Sequence, residues 1–236
     1  MNDNAMMQRF RNRADAGSLL ASQLTHFADR PNVRILALPR GGVPVAFEIA
    51  QALKLPLDVF VVRKLGVPGQ EELAMGAVAS GNVRIVQPHV VQSLRIPQSV
   101  IEAVTAEEIR ELARRERAFR GDRPSLDVRG HTIILVDDGL ATGSTMRAAV
   151  AALRLERPER IIVAVPVAAS ETCQQLRNEV DEIICLKTPT EFQAVGLWYE
   201  HFPQLTDEEV RTLLSKADES WASRNCSERS TRVAWS

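Results

Sequence analysis

Residues 133–136, Ile-Ile-Leu-Val, are wholly apolar and run without a break into Asp137-Asp138. A short apolar run without polar alternation fits a strand covered on both faces, as in a parallel sheet. Two adjacent carboxylates therefore stand at the carboxyl end of a buried strand. A turn of small residues, Gly139-Leu140-Ala141-Thr142-Gly143-Ser144-Thr145, leads from them into a helix over 145–156.

The flanking sequence repeats the pattern. Residues 33–38 form an apolar run whose one charge is Arg34, ending in Pro39-Arg40-Gly41-Gly42. A helix is expected over 43–53 and a second apolar run covers 57–62. Strand, helix, strand at this spacing is a βαβ unit with parallel strands. Downstream come a strand over 161–165, a helix over 171–178 and a strand over 182–186. Helical spacing at Leu19, Leu20, Leu24 and Phe27 precedes the first strand. The whole predicts an α/β fold, a doubly wound and mostly parallel sheet with helices on both faces. Residues 63–73 carry Gly66, Pro68 and Gly69 and read as a loop. Short strands at 76–80 and 83–86 suggest a hairpin, and 100–120 a charged amphipathic helix. We expect one domain over 1–215, with 83–120 as a helical insertion. Residues 216–236 are polar, lack periodicity and read as a disordered tail.

Composition narrows the function classes. With 236 residues, 45% hydrophobic and 25% charged, the chain has the balance of a soluble globule. Lys+Arg number 29 against 30 Asp+Glu, a net charge of -1, which argues against a strongly basic nucleic-acid binder. Cys173, Cys185 and Cys226 lie far apart without metal-ligand spacing, and read as reduced thiols. The first ten residues lack a signal peptide's apolar stretch, and no apolar run nears the roughly 20 residues that span a bilayer. A cytoplasmic protein with no membrane or nucleic-acid partner is expected. His26, His89, His131 and His201 are too scattered to suggest a ligand set. No dinucleotide-binding or P-loop glycine motif follows a strand.

Ligands of open parallel sheets bind beyond the carboxyl ends of the strands. After the strand at 133–136, Thr142, Gly143, Ser144 and Thr145 would offer backbone N–H groups, hydroxyls and a helix dipole to a phosphate. A plain Ser/Thr helix cap is the alternative, but a cap does not explain two carboxylates. Asp137 and Asp138 would repel phosphate, and suit hydroxyls or a hydrated divalent cation. A ribose 5-phosphate meets both demands. The loop at Arg40-Gly41-Gly42 lets backbone approach a ligand closely and adds a cationic fork, or is an ordinary strand–helix turn. Arg63-Lys64 could clamp a diphosphate, or form a solvated charge pair.

The segment 133–145, four apolar residues, two acids and a loop ending Thr-Gly-Ser-Thr, resembles the signature of type I phosphoribosyltransferases. The resemblance extends over roughly 33–200. It implies that Asp137 and Asp138 hold the ribose hydroxyls of phosphoribosyl pyrophosphate, and that Ala141, Thr142, Gly143, Ser144 and Thr145 hold its 5-phosphate. It implies a pyrophosphate-binding loop at Arg40, Gly41 and Gly42, often with a non-proline cis peptide, and a mobile catalytic loop at Arg63 and Lys64. Arg63-Lys64-Leu65-Gly66-Val67-Pro68-Gly69 looks like the matching stretch of adenine phosphoribosyltransferases. Mg2+ is expected from the family, carried by the donor near Asp137 and Asp138 without a direct protein ligand.

The implied enzyme is a pentosyltransferase of nucleotide metabolism, moving ribose 5-phosphate to a nucleobase or similar nitrogen acceptor and releasing pyrophosphate. Arg40 and Lys64 would neutralise the leaving diphosphate. Family members acting on 6-oxopurines carry an aspartate in the phosphate loop where this chain has Ala141, which argues against that route. Glu72, with Glu71 beside it, is the candidate replacement base, against a solvated acid pair. Phe192, Val195 and Trp198, in a segment loosely similar to the family's base-covering Phe-x-Val-Gly and expected to form a small C-terminal hood, are candidates for the base platform, or simply close the core. A homodimer is open, since many members of the family dimerise. The alternative function is a non-catalytic regulator binding phosphoribosyl pyrophosphate or a nucleotide. A phosphoribosyl pyrophosphate synthetase would need two tandem copies of the fold, and one is found.

Overall fold

The computed structural model describes residues 9–125 and 127–233, with the side chains of Glu71, Glu72 and residues 225–233 outside that description. Its core is a parallel sheet of β1 (Val33–Ala37), β2 (Leu57–Val59), β6 (Thr132–Val136), β7 (Arg160–Val167) and β8 (Glu182–Lys187). The strand order is β2-β1-β6-β7-β8, and every pair is parallel. All five residues of β6 are buried. Ile134 and Val136 pack on one side with Ile35 and Ala37, while Ile133 and Leu135 pack on the other with Leu36 and Val163. Strand alternation thus supplies two apolar faces, each needing a helical cover.

Helix α1 (Arg13–Gln23) and α2 (Gly42–Leu53) cover the first face; α5 (Ser144–Leu155) and α6 (Ser170–Leu176) cover the second. The buried residues of α5, Met146, Ala149, Val150 and Leu153, recur at helical spacing. Asn12 caps α1 by accepting from the Asp15 N–H at 2.9 Å, so the helix begins six residues before the apolar spacing first read in this segment.

Residues 63–73, expected as a loop, are instead strands. β3 (Val62–Val67), β4 (Gln70–Ala79) and β5 (Val83–Val86) form an antiparallel sheet of order β3-β4-β5. Pro68-Gly69 is a two-residue hairpin turn with Gly69 at φ +78, the order a type II turn favours. Leu65 and Met75 are fully buried because another element covers them. That element is α4 (Gln98–Arg120), which follows the short α3 (Pro88–Ser93) and buries Ile101, Leu112 and Phe119.

The segment from Lys216, expected as a disordered tail, continues the helix α7 (Asp207–Val233); residues 234–236 lie outside the described residues. Val210, Leu214 and Ala217 are its buried stripe. The start is a capping box: Glu209 N–H donates to Thr206 Oγ1 at 3.2 Å, and Thr206 N–H donates back to Glu209 Oε2 at 2.8 Å. Beyond Ala217 the helix carries polar residues, which is why periodicity alone reads that stretch as irregular. No helix among the described residues is long and apolar enough to cross a membrane.

Candidate active site

The crossovers leave β1 and β6 side by side but running to opposite halves of the sheet, and a cleft opens at such a switch point. Ala37 pairs with Val136, so the loops after the two strands emerge together. Leu38 N–H continues the ladder to Val136 O at 2.8 Å. The Pro39–Arg40 peptide is cis. Any side-chain carbon at Gly41 would collide with the Asp138 carboxylate, and one at Gly42 would lie 2.6 Å from Val136 O. The two glycines are therefore what lets the first loop sit against the acid pair.

Asp138 is held from three sides. Arg13 Nε donates to its Oδ2 at 2.8 Å, the Tyr199 hydroxyl donates to its carbonyl at 2.6 Å, and its own N–H donates to Asp137 Oδ1 at 2.9 Å. Arg13 is in turn sandwiched, with its guanidinium 3.6 Å over the Phe202 ring and Nη1 donating to Pro203 O. Desolvation lifts both carboxyls above the ordinary carboxylate range. The rise is larger at Asp137, where the Asp138 charge adds to it; at Asp138 the Arg13 guanidinium pulls the other way. Burial and the nearby Asp138 charge also keep the Tyr199 phenol protonated far above its usual range.

The pair separates two cavities. Asp137 faces a cavity of about 210 Å³ bounded by loop 139–146 and Val195. Gly143, at φ +67, starts α5 with no side-chain cap, and the Ser144 N–H makes only a long 3.5 Å approach to Thr142 Oγ1. Thr142, Ser144 and Thr145 are exposed, so donors at the positive end of the helix dipole face the opening. The loop is braced from behind by Thr172, whose hydroxyl donates to Ala141 O at 2.6 Å. Asp138 faces a larger cavity of about 510 Å³, which it shares with Arg13, Arg40, Arg115 and residues 202–205. Arg40 is anchored there by Asp207 at 2.7 Å and Leu205 O at 3.1 Å.

The family model of the phosphoribosyl transferase domain matches residues 6–200, most of the chain. The chain belongs to the phosphoribosyl transferase domain family. A relative from Mycobacterium tuberculosis (strain ATCC 25618 / H37Rv), named "Putative phosphoribosyl transferase Rv0571c", is 41% identical over 216 residues. The match takes in 92% of this chain and 48% of the relative, so the chain spans about half the length of that protein. The crystal structure of TT1426 from Thermus thermophilus superposes with a TM-score of 0.79 at 41% identity, covering 88% of this chain and 98% of that one. In this chain α7 lies beyond the matched region, yet Asp207 and the strap before it reach back to Arg40.

Other candidate residues of the transferase domain fall in different places. Arg63 and Lys64 are neighbours on β3 and point to opposite faces. Arg63 turns to α4 and pairs with Glu108 at 2.6 Å. Lys64 borders a third cavity of about 370 Å³ with Thr142, Ser144 and Arg147. Lys64 and Arg40 thus border separate cavities. Glu71 and Glu72 belong to β4, not to a loop, and their side chains lie outside the described residues. Val195 borders the cavity beside loop 139–146, and with Phe192 and Trp198 it packs against Phe10, Val167 and Tyr199.

Arg13, Arg115 and Tyr199 escaped the sequence-based search. Arg13 is 125 residues from Asp138, and no local pattern links them. One signal was available: Arg13 continues the buried stripe Ala16, Gly17, Leu20, Ala21 of α1. An arginine in an apolar stripe needs a buried acid to meet it. Tyr199 is the chain's one tyrosine.

Proposed function

We propose that the protein transfers ribose 5-phosphate from phosphoribosyl pyrophosphate to a nucleobase or similar nitrogen acceptor. The observation that carries this is the acid pair standing between a phosphate-loop cavity and an arginine-lined cavity. A ribose whose hydroxyls meet the acids would put its 5-phosphate in one and its diphosphate in the other. In the reaction the bond from C1 to the diphosphate breaks, a bond from C1 to the acceptor nitrogen forms, and the acceptor's proton leaves.

Each group then has a task. Asp137 and Asp138 accept hydrogen bonds from the ribose hydroxyls. The N–H groups and hydroxyls of 142–145 fix the 5-phosphate. Arg40 offsets negative charge growing on the leaving diphosphate. Arg13 favours the charged form of Asp138 against its desolvation and holds it in place, and Tyr199 pins its backbone. Val195 borders the cavity assigned to the 5-phosphate. Glu72 is our proposed proton acceptor.

Among the described residues no three His, Cys, Asp or Glu side chains converge to cage a metal. Two desolvated, mutually repelling carboxylates nevertheless suit Mg2+ held chiefly by the donor's oxygens and water. Mg2+ would neutralise diphosphate charge, with Asp137 and Asp138 as its nearest protein groups.

The test is pyrophosphate release from magnesium phosphoribosyl pyrophosphate over a panel of purines, pyrimidines and other nitrogen heterocycles. Acceptor-dependent release is expected from the wild type and not from Asp138→Asn. In the same assay Glu72→Gln should lower kcat without raising the donor KM. Saturable donor binding without release from any acceptor would turn the assignment to a non-catalytic regulator; absence of both would overturn it.

A further inference from the structure

We propose that Arg115, on the inserted helix α4, is a diphosphate-binding residue of this site. The inference rests on the donor assignment made above. Arg115 lines the cavity that holds Arg13, Arg40 and Asp138, although it comes from a segment with no part in the sequence motifs.

Three observations carry it. The first is direction. Glu108, Leu112, Arg115 and Phe119 fall at steps of three and four residues, so Arg115 shares the inward face of α4 with two buried apolar residues. The second is rigidity. α4 is tied down on either side of Arg115, by Glu108 to Arg63 at 2.6 Å and by Arg120 to the buried Asp58 at 3.0 Å. Arg63 thus serves the site through the helix it anchors. The third is the state of the guanidinium. Glu111, one turn back, holds Arg115 Nε at 2.8 Å. Hydrogen bonds from Arg114 and Arg115 pull the Glu111 carboxyl down to about 2, so the brace stays charged at any ordinary pH.

The terminal nitrogens of Arg115 make no hydrogen bond within the described residues. Arg13 spends Nε and Nη1 on Asp138 and Pro203, and Arg40 spends the same two atoms on Asp207 and Leu205. Each arginine keeps donors for a ligand. Each of the three guanidinium groups is oriented by a carboxylate through Nε, Arg13 by Asp138, Arg40 by Asp207 and Arg115 by Glu111, and the N–H donors left over from three converging arginines match the several oxygens of a diphosphate. Arg115 would contact the half of the diphosphate remote from the ribose, since Arg40 belongs to the loop whose Gly41 lies against Asp138.

Titration calorimetry of the full chain separates the possibilities, with magnesium pyrophosphate and ribose 5-phosphate as two independent probes. Arg115→Gln should weaken pyrophosphate binding about tenfold, the scale of one charged hydrogen-bonding partner at a half-exposed position. Ribose 5-phosphate affinity should be unchanged, which also reports an intact fold. Arg115→Lys should recover part of the loss, and Glu111→Gln should show a smaller loss through a misplaced guanidinium. Pyrophosphate binding unaltered in Arg115→Gln, or an equal loss for both probes, would overturn the assignment alone. A wild type that binds neither probe would overturn the donor reading and this one together.

Discussion

Asp137 shows how much one side chain owes to its surroundings. It follows four apolar residues, and its carboxyl is desolvated beside a second acid. Its unfolded counterpart titrates near pH 4. Below that pH both states are protonated and the residue leaves stability unchanged. As the pH climbs from there to the raised native value, the unfolded chain gives up its proton while the folded one keeps it, and stability is lost. Asp137→Asn removes the charge and keeps an oxygen for the Asp138 N–H. Thermal unfolding without ligand should find the variant gaining on the wild type above about pH 4, the gap widening toward neutrality. A gap that is flat or of opposite sign would contradict the burial of this charge. Asp138 differs because Arg13 compensates it, and that partner is visible only once α1 is folded against β7 and β8.

At the scale of elements, legibility followed local signals. Strands β1, β6, β7 and β8 were legible because parallel strands buried on both faces leave continuous apolar runs. The β3–β4 hairpin was not. Gly66, Pro68 and Gly69 look like loop punctuation, and the strands become stable only when α4 covers Leu65 and Met75. Helix α7 had a readable start, Thr206-x-x-Glu209, ahead of a sparse apolar stripe. Removing that cap tests its worth. Thr206→Ala should cost about 1 kcal/mol in chemical denaturation. A larger loss would mean the strap carrying Leu205 and Asp207 to Arg40 had come away with the cap.

For the whole molecule, the proposed site is built from parts that meet across the chain: α1 supplies Arg13, α4 supplies Arg115, and the strap before α7 closes on Arg40. A donor that bridges both cavities would bind only the assembled fold. At a hundredfold excess over Kd it should stabilise by about 2.7 kcal/mol, raising Tm by roughly 5–10 °C. Magnesium phosphoribosyl pyrophosphate should produce this rise in the wild type and little in Asp138→Asn, read by thermal unfolding with and without donor. The sequence by itself determined the parallel sheet, the acid pair at a strand end and the Ser/Thr-rich turn into a helix after it, because apolar runs, adjacent carboxylates and capping residues act over a few neighbouring positions. Tertiary structure alone decided that Arg13 would neutralise Asp138, that Arg63 and Lys64 would part to opposite faces, and that α4 would face the acid pair. Those outcomes turn on burial and charge pairing between residues distant in sequence, which no local pattern encodes.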